Sequence, residues 1–271
     1  MDPAAARARC RAFRRRILEL SQNVSALHIA PAFSCLELVD TIYHGLMRQD
    51  PTGGFIDTFL LSKGHGAVAQ YVILESLNVL SKSDLDRICT VDGILGTHPD
   101  YGVPGIEAST GSLGHGMGIA VGMAYADKIK KIDRNVYVVL SDGEMQEGST
   151  WESMMMAANL GLNNLVAFLD LNDFQGLGRT SESHPAFYPI LDKIRAFGFD
   201  AAEVDGHDCE AIEAAVLTRA SNCPFFLVGK TTKGRGVSYM ENVPIWHYRS
   251  PNKSEYAQAL AEIAAGEGDA S

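Results

Sequence analysis

Five near-continuous apolar stretches, each about one strand long, limit most strongly how this chain can fold. They are TFLLS (58–62), NVYVVLS (135–141), NLVAFLDL (164–171), FDAAEV (199–204) and PFFLVGKT (224–231). Side chains of a strand alternate between its faces, so a half-exposed strand alternates apolar with polar residues. These stretches do not, which predicts strands buried on both faces. The segments between them read as helices. Residues 35–48 put Leu36, Val39, Ile42, Tyr43 and Leu46 on one helical face. Residues 66–80, 115–131, 149–161, 187–197 and 208–221 follow the same pattern. Strand and helix in alternation predict an α/β fold, a parallel sheet flanked by helices on both faces. No repeat or compositional break interrupts the chain, so a single domain over 1–260 is expected, with 261–271 a flexible C-terminal tail.

In such sheets the ligand lies at the carboxyl ends of the strands. The stretch LSDGEMQEGSTWESMMMAANLGLNNLVAFLDLNDF (140–174) places Asp142 directly after one apolar run and Asn172 directly after the next. The two residues are thirty positions apart, and the helix between them returns the chain to the same edge. A carboxylate and an amide oxygen with a nearby carbonyl form a hard, oxygen-only site, suited to Mg²⁺ or Ca²⁺ rather than zinc. One charge holds a divalent ion weakly, so a diphosphate is the natural remaining ligand. Gly143 lets the backbone approach closely, and the helix start after it offers free N–H groups to an anion. A second cluster, Gly111, Gly114, Gly116 and Gly118, opens another helix. From spacing, phosphate approach and close helix packing are both open there. Met154–Met156 read as core packing, and Gly161 as a helix stop.

Bulk properties exclude some classes. The net charge is −10, with no basic patch beyond the first residues, which argues against a nucleic-acid binder. The early arginines, at 7, 9, 11, 14, 15 and 16, read as the solvated face of a first helix. No apolar run nears the ~20 residues of a membrane span. Five cysteines without a C-x-x-C pair fit reduced thiols and a cytoplasmic protein.

Four ordered stretches carry a resemblance: LLSKGHGAVAQY (60–71), GTHPDYGVPGIEASTGSLGHG (96–116), LSDGE through DLND (140–173) and KTTKGRGVSYMENVPIWHY (230–248). Together they resemble the N-terminal, diphosphate-binding half of transketolase, a thiamine diphosphate-dependent family. The family's Gly-Asp-Gly…Asn fingerprint stands here as Ser141-Asp142-Gly143 and Asn172. The resemblance implies the thiamine diphosphate-binding fold (PP domain). Its metal ligands for Mg²⁺ would be Asp142, Asn172 and the carbonyl of Phe174. Gly111, Ser112, Leu113, Gly143, Glu144 and Glu147 would line the cofactor, with Glu147 and Glu152 near a subunit interface. His65, His98 and His247 match family histidines that approach the cofactor or the substrate hydroxyls. His28, in SALHIAPAFS, falls where the family has a substrate-side histidine, although the flanking residues differ.

The same resemblance says what to expect of partners. The glutamate that activates the cofactor's pyrimidine ring belongs to the family's second half, which this chain does not include. The implied function is the N-terminal subunit of a two-component transketolase-like enzyme, inactive alone. It would pair with a C-terminal transketolase-like subunit in an α2β2 heterotetramer and transfer a two-carbon ketol unit from a ketose donor to an aldehyde acceptor. The alternatives are a split acyloin synthase, a non-catalytic relative and a 2-oxo-acid dehydrogenase alpha subunit. A nucleotide-binding reading is set aside, because the glycines at 111–118 follow no clear strand.

Overall fold

A computed structural model describes residues 1–25, 27–176 and 178–266. In chain order the elements are α1 (Pro3–Ser21), α2 (Ile29–Thr41), β1 (Thr58–Leu61), α3 (Ala67–Ser76), α4 (Lys82–Asp86), α5 (Gly116–Lys130), β2 (Val136–Ser141), α6 (Gly148–Asn159) and β3 (Leu165–Leu171). There follow the short β4 (Phe174–Gln175) and β5 (Gly178–Arg179), then α7 (Thr180–Ser183), α8 (Ile190–Ala196), β6 (Asp200–Asp205), α9 (Cys209–Leu217), β7 (Phe225–Lys230) and α10 (Lys253–Ala265). The five expected strands form one parallel sheet in the order β1-β2-β3-β7-β6. β4 and β5 pair separately as an antiparallel ribbon.

The absence of alternation has the expected cause. Tyr137, Val139, Val166, Phe168, Phe225 and Leu227 face a core with α1, α2 and α3. Their neighbours Val138, Leu140, Ala167, Leu169, Phe226 and Val228 face a second core with α5, α6 and α8. Each of the Val, Leu and Phe side chains, withdrawn from water, stabilises the fold by about 1.5–3 kcal/mol. Among the described residues no helix is long and apolar enough to cross a membrane.

Several local expectations need correction. α2 begins at Ile29 rather than 35, because Pro31 falls in its first turn, where a missing N–H costs nothing. The arginines of α1 do not form one solvated face. Arg14 is buried on Glu37, Arg9 binds Asp40, and Arg16 binds Glu75 and Asp86. Of the methionine run only Met154 is core, while Met155 and Met156 are each 50% exposed. α10 extends to Ala265, into the expected tail, with Ile263 buried. Residues 267–271 lie outside the described residues.

Candidate active site

β2 and β3 run side by side with Ser141 opposite Asp170, so Asp142 and Asn172 both leave the sheet at its carboxyl edge. Asp142 is fully buried. Its Oδ1 accepts from the Gly143 N–H at 3.0 Å, and its Oδ2 has no hydrogen-bond partner among the described residues. Burial, reinforced by the nearby Asp170 charge, pushes this carboxyl up to about 7 despite Lys63. A buried carboxylate oxygen without a donor is costly unless a cation completes it.

The amide of Asn172 is oriented from below. Its Nδ2 donates to Ser34 Oγ at 3.0 Å and to Asp170 Oδ2 at 3.2 Å, while Oδ1 accepts from the Phe174 N–H at 3.0 Å. Asp170 is also held by Ser34, by Thr231 and by the ammonium of Lys63, which itself donates to the Pro31 carbonyl. This buried ion pair fixes the amide's orientation, and the donor set of Asp142 and Asn172 fits a hard cation.

Above this floor lies a cavity of about 430 Å³. Nine of the expected site residues line it: His28, His65, His98, His247, Gly111, Leu113, Gly143, Asn172 and Phe174. The four imidazoles gather in one cluster. His28 has ring centroids of His65, His98 and His247 at 6.1, 5.7 and 5.4 Å, and His65 lies 5.5 Å from His247. His28 takes a left-handed conformation (φ 54°), unusual for a residue with a side chain, and its buried Nδ1 has no partner among the described residues. Burial, with His98 and two lysines nearby, lowers His28 to about 4. Burial and Lys233 take His247 to about 3. His65 is likewise held well below its usual range, by burial first and then by Lys63. These three rings are therefore neutral near pH 7.

Other expected residues stand outside the cavity wall. Asp142 lies beneath it. Ser112 is exposed beside the glycine turn. Glu144 is buried, and its carboxylate bridges Ser62 and the Gly114 N–H, tying the glycine turn to the end of β2 rather than facing the cavity. Glu147 and Glu152 are exposed. The question over the glycine cluster resolves for two members. A Cβ at Gly111 (φ 125°) would stand 2.6 Å from the His98 ring, and one at Gly116 would meet Ser62 Oγ at 2.1 Å. Both glycines are there for close packing.

Sequence reasoning passed over the two lysines of this pocket. Lys63 and Lys233 are both buried, and lysine is almost never fully buried unless it is paired. Lys233 Nζ donates to His247 Nδ1 at 3.0 Å and to the Gly176 carbonyl at 3.2 Å, with no carboxylate partner among the described residues. Burial and Lys63 lower its ammonium to about 8. Because an ammonium only donates, His247 Nδ1 must accept, which leaves the proton on Nε2. The signal was available, since both lysines lie inside the SKGHG and TTKGRG stretches. Tyr248, with its ring 4.5 Å from His247 and 5.4 Å from His28, was also missed.

Comparison with known proteins identifies the family and the fold. The family description "Transketolase, thiamine diphosphate binding domain" matches residues 9–260. The A subunit of the apulose-4-phosphate transketolase of Phocaeicola vulgatus is 38% identical over 256 residues, covering 93% of this chain and 91% of that protein. The 6-deoxy-6-sulfo-D-fructose transketolase subunit SqwG of a Clostridium species is 34% identical, covering 92% and 93%. The crystal structure of the Campylobacter jejuni transketolase shares the fold with a TM-score of 0.89 at 24% identity over 97% of this chain. The chain spans only 43% of that longer protein.

Proposed function

The chain belongs to the transketolase family and, like the relatives that match it end to end, is a subunit of a split transketolase-like enzyme; from that premise we propose that it holds thiamine diphosphate through Mg²⁺ for a partner subunit to activate. The observation that carries this reading is the bare, buried Oδ2 of Asp142 at the tip of β2, beside the oriented amide at the tip of β3. Asp142, Asn172 and the Phe174 carbonyl would hold the ion. Lys233 supplies an uncompensated positive charge to the cavity, which favours a diphosphate. When bound, the cofactor supplies the carbanion chemistry of ketol transfer.

The chain's own residues bind and orient. Neutral His28, His65 and His247 offer hydrogen bonds to substrate hydroxyls without carrying charge, and His247 presents Nε2–H because Lys233 occupies its Nδ1. His98 completes the ring of imidazoles over the cavity.

The partner is a subunit carrying the pyrimidine-binding half, in an α2β2 assembly in the cytoplasm. An uncovered surface supports this. Tyr125 and Ile129 of α5 and Met155 and Met156 of α6 are 40–62% exposed, on two helices that pack together. Apolar patches of this kind mark interaction sites. The purified chain should show no ketol transfer from a ketose to an aldehyde, and should gain it when mixed with the subunit that co-purifies with it. Full activity of the chain alone would refute the division of labour.

A further inference from the structure

The cysteines show no paired spacing in the sequence, yet the fold brings two of them together. Cys10 lies on the buried side of α1, and Cys209 opens α9 directly after its cap, Asp208. Their sulfurs and a carboxylate oxygen of Asp40 all lie within 4.8 Å of one another. The thiols are only 1% and 7% exposed. Both residues nevertheless line an open cavity of about 440 Å³, large enough to admit a small solute.

Three ligating atoms invite a metal, and their surroundings oppose one. Arg9 grips Asp40 through Nε at 2.9 Å and Nη2 at 2.8 Å, and His44 Nδ1 lies 3.0 Å from the same carboxylate. A divalent cation would have to displace that guanidinium. Among the described residues no fourth histidine, cysteine or carboxylate completes a tetrahedron. A disulfide is neutral and leaves the Arg9–Asp40 pair intact.

We propose that Cys10 and Cys209 are a modification site, oxidised by a peroxide entering this cavity to a reversible disulfide that staples α1 to α9. Cys209 is the attacking sulfur. It sits in the first turn of a helix, at the positive end of the helix dipole. The neighbouring Cys10 lowers the Cys209 thiol, while Cys209 and burial raise the Cys10 thiol. The Cys209 thiolate attacks one peroxide oxygen, the O–O bond breaks, and hydroxide leaves to take up a proton. The Cys10 sulfur then displaces hydroxide from the sulfenic acid as the S–S bond forms and its own proton is released. Two thiols and one peroxide give one disulfide and two waters; the sulfurs lose two electrons and the peroxide gains them.

The turn that bears the staple also contacts the segment leading into the site. The turn carrying Cys209 carries His207, whose Nδ1 lies 2.9 Å from Glu37 Oε2 and whose Nε2 accepts from the Thr232 N–H at 2.8 Å. Thr232 precedes Lys233, which lines the cofactor cavity.

The test needs neither partner nor cofactor. The full chain is treated with a small excess of hydrogen peroxide, its thiols are counted, and its peptides are mapped without reduction. Free thiols should fall from five to three, with one cross-link joining the Cys10 and Cys209 peptides and reversed by dithiothreitol. The thermal midpoint should rise by roughly 5 °C or more, as expected for closing a long loop. In Cys10→Ser and Cys209→Ser, checked for folding by circular dichroism, the cross-link and the rise should both vanish. Persistence of all five thiols, sulfinic acid on either cysteine, or a bridge to Cys35, Cys89 or Cys223 would overturn the proposal. So would stoichiometric zinc lost on either substitution. Should a serine variant fail to fold, the wild-type peptide map decides alone.

Discussion

Glu37 and Asp142 are both buried carboxylates, and their surroundings drive them in opposite directions. Glu37 meets Arg14 Nη1 at 2.6 Å, Arg14 Nη2 at 2.9 Å and His207 Nδ1 at 2.9 Å. Burial pushes its pKa up, but Arg14 and His207 overcome this and hold it at about 2. Asp142 has one bond to its neighbour's N–H, one bare oxygen, and a carboxyl pushed up to about 7 by burial and Asp170. A network that holds helices together satisfies its charge internally. A site meant for a ligand leaves an atom for that ligand to satisfy.

Substitutions at the two carboxylates should therefore fail differently. Glu37→Gln leaves the buried Arg14 guanidinium without its counter-charge. Urea unfolding should show a loss of about 3–5 kcal/mol, with the folded fraction still binding cofactor normally. Wild-type stability in this variant would erase the contrast. Asp142→Ala should reverse the pattern. Mg²⁺-dependent affinity for thiamine diphosphate should fall roughly a hundredfold by calorimetry, with no loss of thermal stability, because an unpaired buried charge has been removed. Retained affinity would remove Asp142 from the metal site.

His98→Ala sharpens the contrast between holding the cofactor and using it. In the assembled enzyme, turnover should drop at least about tenfold while cofactor affinity changes little. Parallel losses in both would make His98 a cofactor residue instead.

The smallest effect is that of pH. His28 and His247 are held at about 4 and 3, below the 6.5 of an unfolded histidine. Between those values and 6.5 the unfolded chain binds protons that the folded chain does not. Their stabilisation is complete above pH 6.5 and is lost as the pH falls toward about 4. Asp142, raised to about 7, and Glu144, raised by burial, oppose this, while His65, held low by burial, adds to it. Glu37 keeps its contribution down toward pH 2, its folded value. Denaturation from pH 7 to 4.5 should thus show a gradual loss of stability, and the imidazole signals of His28 and His247 should remain those of neutral rings at pH 5.5. Titration of those rings near pH 6.5 would place them in open solvent.

What could be read from the sequence depended on how locally each feature is encoded. The strands were legible because burial on both faces erases alternation within a few residues. Asp142 and Asn172 were legible because each directly follows such a strand. The start of α2 was not, because Pro31 reads as a breaker until its place in the first turn is known. Lys63 and Lys233 were passed over, although each lies inside a stretch that carries the resemblance, because only the fold brings them to their partners Asp170 and His247. The inward arginines of α1 and the meeting of Cys10 with Cys209 depend on helices that only the folded chain brings together.

The central claim is that the tips of β2 and β3 share one metal ion. Crystals grown with thiamine diphosphate and Mn²⁺ in place of Mg²⁺ test it directly through the anomalous signal of manganese. The account predicts a single strong peak bonded to the Asp142 side chain, Asn172 Oδ1 and the Phe174 carbonyl, with diphosphate oxygens on its open side. Bound diphosphate whose manganese touches neither Asp142 nor Asn172 would contradict it.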